Sequence, residues 1–253
     1  MKIVVIGGTG QIGRKLIPIL TAAGHEASAA SPSTGVDTVT GEGLAEALAG
    51  AQVVVDVTNA PAWGDDEVLQ FFTTSTGNLL EAGRAAGAGH HVALTIVGAD
   101  RNPGSGYQRA KVAQENLIIA SGRPYTILRA TQFYSFLETI ADGATVDGVV
   151  HSPVGAFQPV SEDNVAETLA EIALAPPVDG IIDLAGPEKE PMAQFLRRFL
   201  DATYDRRKVV EDPQARYFGG VMTDTSLVPT GDHPTRTGAM TFPEWLSRPE
   251  GAR

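Results

Sequence analysis

The chain contains no cysteine, which excludes disulfides, thiol nucleophiles and cysteine-ligated metals together and leaves stability to packing. Its histidines, His25, His90, His91, His151 and His233, show none of the spacings of a metal site, so no metal is expected. Positive charge is also scarce. Nineteen Lys and Arg stand against 30 Asp and Glu, and a net charge of −11 repels phosphate backbones and anionic lipid. Nucleic acid and membrane surfaces are therefore not expected as partners. No apolar stretch approaches the ~18 to 20 residues that cross a bilayer, and the opening run to Ile6 stops at Gly7, too early for a signal peptide. The expected location is cytoplasmic. A nucleophile elbow, G-x-S-x-G, is missing as well.

What is present is an alternation. Ile3 to Ile6 reads as a buried strand, and an amphipathic helix follows from Gln11 to Ala23. A weaker strand near Glu26 to Ala30, a helix at Glu42 to Ala49 and a strand at Gln52 to Val57 repeat the pattern. A helix at Val68 to Ala88, a strand at His91 to Val97, a helix at Tyr107 to Ala120 and a strand at Tyr125 to Arg129 continue it. Alternating strands and helices imply parallel pairing through right-handed crossovers, and the expected fold is α/β, a doubly wound parallel sheet. After about Ala130 the alternation loosens into Gly- and Pro-rich segments at Gly143 to Pro159. A helix at Asp163 to Ala175, a strand at Gly180 to Ala185 and a helix at Met192 to Thr203 come next. From Pro213 to Arg253 only Phe242 to Leu246 shows periodicity.

Gly8-Thr9-Gly10-Gln11-Ile12-Gly13 satisfies G-x-G-x-x-G between a buried strand and an amphipathic helix, the setting that makes the motif a dinucleotide signature. The first glycine suits a tight turn, Gly10 a close approach of backbone to pyrophosphate, and Gly13 tight helix-on-strand packing. N–H groups at the start of the helix then face the phosphates, with Gln11 and Ile12 as candidates.

Gly7, Gly10 and Gly13 also recur at intervals of three, and here the chain resembles the short-chain dehydrogenase/reductase superfamily, in its atypical branch of NmrA-like proteins and NAD(P)H-dependent reductases. The resemblance covers Met1 to Phe136 well and the remainder by order of elements. It implies a Rossmann-type NAD(P)-binding unit over residues 1–130. Residues 131–253 would form a smaller, substrate-facing C-terminal region integrated with it into one domain. Val55-Asp56-Val57-Thr58-Asn59-Ala60 looks like the strand end that passes the adenine and ribose, with Thr58 and Asn59 as candidates, though a plain strand end reads the same way. The second strand ends in Ala30-Ser31-Pro32-Ser33-Thr34 with no acid to hold a ribose 2′-hydroxyl. Relatives often carry an Arg where Pro32 stands; Arg14, Ser31 and Ser33 are the substitutes, and NADPH is favoured over NAD.

Tyr107-Gln108-Arg109-Ala110-Lys111 is Y-x-x-x-K, which places phenol and ammonium on one helix face. Hydride delivery to a carbonyl leaves an alkoxide that needs a proton, and a nearby cation improves a phenol as its donor. The resemblance implies Tyr107 as general acid and Lys111 as the group that lowers its pKa and binds the nicotinamide ribose. The family's third member is a serine at the end of the preceding strand. Thr95 stands there, either as that hydroxyl or as a β-branched strand residue. Asn78 is either a brace for the site or a solvated helical residue. The segment Ala130-Thr131-Gln132-Phe133-Tyr134-Ser135-Phe136 resembles the lining of the nicotinamide and substrate pocket. Its aromatics, with Trp63 and Phe157, point to a flat apolar substrate or equally to core.

The expected activity is reduction of a small carbonyl or quinone-like molecule. Two alternatives remain: a non-catalytic dinucleotide sensor that binds a protein partner, and a nucleotide-sugar epimerase or dehydratase. Sensor relatives commonly lack the Tyr–Lys pair, and the acid-free second strand and short C-terminal region argue against the epimerase. Oligomeric state and substrate identity are left open.

Overall fold

A computed structural model describes residues 1–248. The first elements are β1 (Lys2–Ile6), α1 (Gln11–Ala22), β2 (Glu26–Ala30), α2 (Leu44–Leu48), β3 (Val53–Asp56), α3 (Asp65–Ala85), β4 (His90–Ile96), α4 (Gly106–Ala120) and β5 (Tyr125–Ala130). There follow α5 (Leu137–Gly143), β6 (Thr145–Val146), β7 (Val149–Ser152), β8 (Ala156–Phe157), α6 (Glu162–Leu174) and β9 (Gly180–Ala185). The last are β10 (Glu190–Pro191), α7 (Met192–Ala202), β11 (Lys208–Glu211), β12 (Thr235–Thr237) and α8 (Phe242–Leu246).

Seven strands form the main sheet in the order β12-β9-β5-β4-β3-β1-β2, with parallel pairing. From β1 the chain moves outward to β2 and then returns to β3 on the other side. In such a sheet ligands bind at the carboxyl ends of the strands where the order reverses, here between β1 and β3. The strands that flank this point are apolar on both faces up to Asp56: Ile3, Val4, Val5 and Ile6 of β1 and Val53, Val54 and Val55 of β3 are buried. No described helix is long and apolar enough to cross a membrane.

The chain divides into two compact units, and the division is not a single cut near residue 130. The first unit holds Met1–Thr95, Gly106–Arg129 and Val165–Ile182; of the described residues the second holds Ile96–Ser105, Ala130–Asn164 and 183–248. Most of α6 lies in the first unit, since parallel β9 needs a crossover helix to reach it. Residues 96–105 belong to the second unit.

In the first unit Val4, Ile6, Leu44, Leu48, Val54 and Leu79 form one core cluster. In the second, α7 buries Met192, Phe195, Leu196, Phe199 and Leu200, an i, i+3, i+4, i+7, i+8 stripe, into an aromatic core with Tyr134, Phe157, Phe242 and Trp245. Small sheets complete that unit: β11-β7-β6, and β10 paired antiparallel with β8. The tail from residue 213 therefore has structure that its lack of period did not announce. β12 joins β9 in parallel, and α8 begins in a Thr241/Glu244 capping box.

Candidate functional site

Strand β1 ends where Gly7 adopts φ +77°, and a Cβ there would lie 2.9 Å from the Val57 carbonyl oxygen, so the loops after β1 and β3 approach by backbone alone. At Gly13 a Cβ would meet Gly8 Cα at 2.4 Å, which lets the first turn of α1 sit directly on the loop. That turn carries no acidic residue, and its leading N–H groups have no partner within the helix. The result is an anion cradle at a helix N-terminus, closed to any side chain larger than hydrogen at residue 13. The residues present fit a dinucleotide diphosphate.

At the end of β2 the structure gathers three hydroxyls. Thr9 donates to Ser31 at 2.9 Å, Ser31 and Ser33 share a bond of 3.0 Å, and Ser33 reaches Thr9 at 3.3 Å. Sequence reasoning chose Ser31 and Ser33 but passed over Thr9, whose signal was its place inside the glycine motif. Arg14 is exposed in the first turn of α1.

At the end of β3, Asp56 is buried and its Oδ1 accepts from the Thr58 backbone N–H at 2.9 Å and the Thr58 hydroxyl at 2.7 Å. This closes the turn that presents Asn59. Asn59 Oδ1 in turn accepts the Tyr107 phenol proton at 2.7 Å, so the phenol reaches the loop after β3. Burial pushes the phenol above its ordinary range. Its ring meets Phe72 edge-on at 5.8 Å and Trp63 at 5.7 Å with a tilt of 35°.

Lys111 is buried, one turn further along α4. Its ammonium donates to the Leu94 carbonyl at 3.1 Å and to Gln114 Oε1 at 2.8 Å, and it lies 4.0 Å from the centroid of the Phe72 ring. Gln114 completes a relay by donating to Asp56 Oδ2 at 2.9 Å. Burial lowers the lysine to about 8, and the charges of Asp56 and Glu115 oppose that shift. The ammonium is thus held by partners other than the phenol, and burial is what raises the phenol.

Residues 7–176 match the NAD(P)H-binding family model. The chain belongs to that family. Among solved structures it is similar to a Thermus thermophilus UDP-glucose 4-epimerase complexed with NAD, at 19% identity over 89% of this chain and 90% of that one, TM-score 0.69. It is also similar to an Agrobacterium tumefaciens short-chain dehydrogenase/reductase superfamily protein with bound NAD, at 15% identity over 97% and 95%, TM-score 0.71. A third is the Citrobacter sp. triphenylmethane reductase complexed with NADP(H), at 19% identity over 85% and 80%, TM-score 0.64. A search of curated proteins gives no match. These likenesses show the fold, and the family model makes the chain an NAD(P)H-binding protein.

Several side chains of this NAD(P)H-binding protein have partners that the sequence did not announce. Thr95 is buried, and its hydroxyl donates to Glu115 Oε1 at 2.6 Å. Its single proton is therefore engaged by a buried carboxylate. Asn78 does brace a loop, but that loop is the one after β2: its amide donates to the carbonyls of Thr38 and Val39, both at 2.9 Å. Phe157 is core, edge-on to Phe195 at 5.8 Å, and Tyr134 is core as well, with its hydroxyl on the Met240 carbonyl at 3.2 Å. Among the described residues no group of three or more His, Asp or Glu side chains could hold a metal ion.

Proposed function

We propose that this chain is an NAD(P)H-dependent oxidoreductase that reduces a small carbonyl or quinone-like molecule, with Tyr107 as proton donor. One observation carries the reading: the Tyr107 phenol bonds Asn59 at the end of β3, beside the reversal point of the sheet, with Lys111 one turn behind it. The N–H groups of Gln11, Ile12 and Gly13, with Gly7 and Gly10 shaping the turn, would hold the diphosphate. Ser31 and Ser33, with Thr9, would hold the adenosine ribose. Because no acid stands among them, a 2′-phosphate meets no repulsion, and Arg14 is the nearest cation in sequence; NADPH is the preferred form. Thr58 and Asn59 would line the strand end, and Lys111 would bind the nicotinamide ribose.

When bound, the dinucleotide supplies hydride. Tyr107 holds the proton that the substrate oxygen needs as charge develops on it. Lys111 keeps positive charge behind the phenol at pH values below about 8. No hydroxyl of β4 remains to hold the oxygen, since Thr95 is engaged by Glu115.

A second reading, binding without turnover, has its own support in the phenol that burial pushes upward and the ammonium that bonds elsewhere. The two separate in one experiment. Purified protein is mixed with NADPH or NADH and a panel of aldehydes, ketones and quinones, and loss of the reduced nicotinamide absorbance is followed. The reductase reading expects turnover that falls by about 100-fold or more in Tyr107→Phe while cofactor affinity stays unchanged. Tight cofactor binding with no oxidation across the panel overturns it in favour of the sensor.

A further inference from the structure

The first unit keeps its aromatic side chains covered with one exception. Phe72 is fully buried and Tyr107 half-buried, whereas Trp63 is 63% exposed. Of the ~250 Å² that a tryptophan can bury, on the order of 150 Å² is left in water. An exposed indole of this size asks for a reason, and a slack loop is not it. The loop from Val57 to Gly64 is tied at both ends. On one side Asp56 closes the Thr58 turn and Asn59 bonds Tyr107. On the other, Asp65 at the start of α3 pairs with Arg109 of α4 at 2.6 Å. Asp65 also occupies the space where a Cβ on Gly106 would stand, 1.9 Å from its Oδ1. Trp63 thus projects beside the phenol from a fastened segment, with its ring against Tyr107.

We propose that Trp63 is the stacking wall of the substrate site and that the compound it selects is a neutral, planar aromatic carbonyl. This rests on the reductase reading above. An indole face attracts an aromatic ring beyond what area alone provides, and it gives no such preference to an aliphatic chain. Neutrality follows from the next residues. Asp65, Asp66 and Glu67 fill the first turn of α3, and among the described residues Asp65 is the one of them matched by Arg109, so an anionic substrate would be repelled. The chain's overall charge of −11 acts in the same direction.

The test compares two aldehydes that differ in the flat ring, 2-naphthaldehyde and butanal, in the wild type, Trp63→Leu and Trp63→Phe. Trp63→Leu should raise KM for 2-naphthaldehyde by about 2- to 13-fold, with kcat changed less than about twofold and butanal unaffected. Trp63→Phe should recover most of the loss, and the melting temperature should not move. Equal effects on both aldehydes, or none on either, overturn the proposal. If the wild type reduces neither, the reductase reading has failed, and calorimetric titration of 2-naphthaldehyde into protein saturated with oxidised cofactor decides separately. An affinity weakened by the same factor in Trp63→Leu sustains the stacking wall, and an unchanged affinity removes it.

Discussion

Two adjacent residues of α4 close two buried polar clusters, and the clusters differ in kind. Glu115 accepts from Arg129 Nε at 2.9 Å and from its terminal nitrogen at 2.6 Å, with the Thr95 hydroxyl as a third donor. Charge is matched by charge inside that group. Gln114 instead links Asp56 to Lys111, whose ammonium touches an amide oxygen, a backbone carbonyl and a ring face but no carboxylate. Burial draws the lysine down to about 8 as a result. The first cluster is complete as it stands, so its purpose is to hold β4, β5 and α4 together. The second keeps a cation that no carboxylate touches among the described residues, at a cost to folding, and in the proposed function that cation is the one that would meet a ligand's oxygens.

The largest test of this difference is Arg129→Met, which leaves Glu115 buried without its partner. Stability should fall by about 3–5 kcal/mol, which lowers the melting temperature by about 6–20 °C. Replacing Glu115 by Leu in the same chain should recover much of it, and cofactor affinity of the folded protein should hold throughout. A single variant as stable as the wild type would end the claim that the cluster is structural. Next comes Thr95→Val, which removes one hydrogen bond to a charged acceptor and should destabilise by about 1.5–3 kcal/mol with turnover intact. Lost turnover at unchanged melting temperature would return Thr95 to the chemistry.

Per unit of pH, the smallest effect is the response of Lys111. Its pKa in the folded chain, about 8, lies below the ~10.4 of an exposed lysine, so the unfolded chain holds more protons between those values. Stability should rise with pH across that window, by at most about 1.4 kcal/mol per pH unit, and the gain is lost as pH falls back through about 8. Denaturant titrations should show this rise in the wild type and not in Lys111→Met. Cofactor affinity should weaken over the same range as the ammonium discharges.

The glycine loop was readable because it depends on backbone atoms of neighbouring residues. The spacing of Tyr107 and Lys111 placed both on one helix, yet spacing does not say where long side chains end. That was decided by Asn59 and Gln114, from 48 residues away and three residues away respectively. Thr95 shows the same limit, since its partner Glu115 lies 20 residues on. β12 carries only three residues, and its partner β9 lies some fifty positions earlier, so nothing local marked it as part of the main sheet.

The interleaving of the two units has a consequence for the order in which the chain matures at the ribosome. Arg101 sits on the segment just after β4, and its guanidinium is fastened to the carbonyls of Thr225 and Val228, 124 and 127 residues downstream. That segment emerges early during translation and has to wait for nearly the whole polypeptide before its anchors exist. The first unit likewise stays incomplete until Ile182 has been made, so a nascent chain paused before that point exposes β5 as an unpaired sheet edge, a target for chaperones or for aggregation.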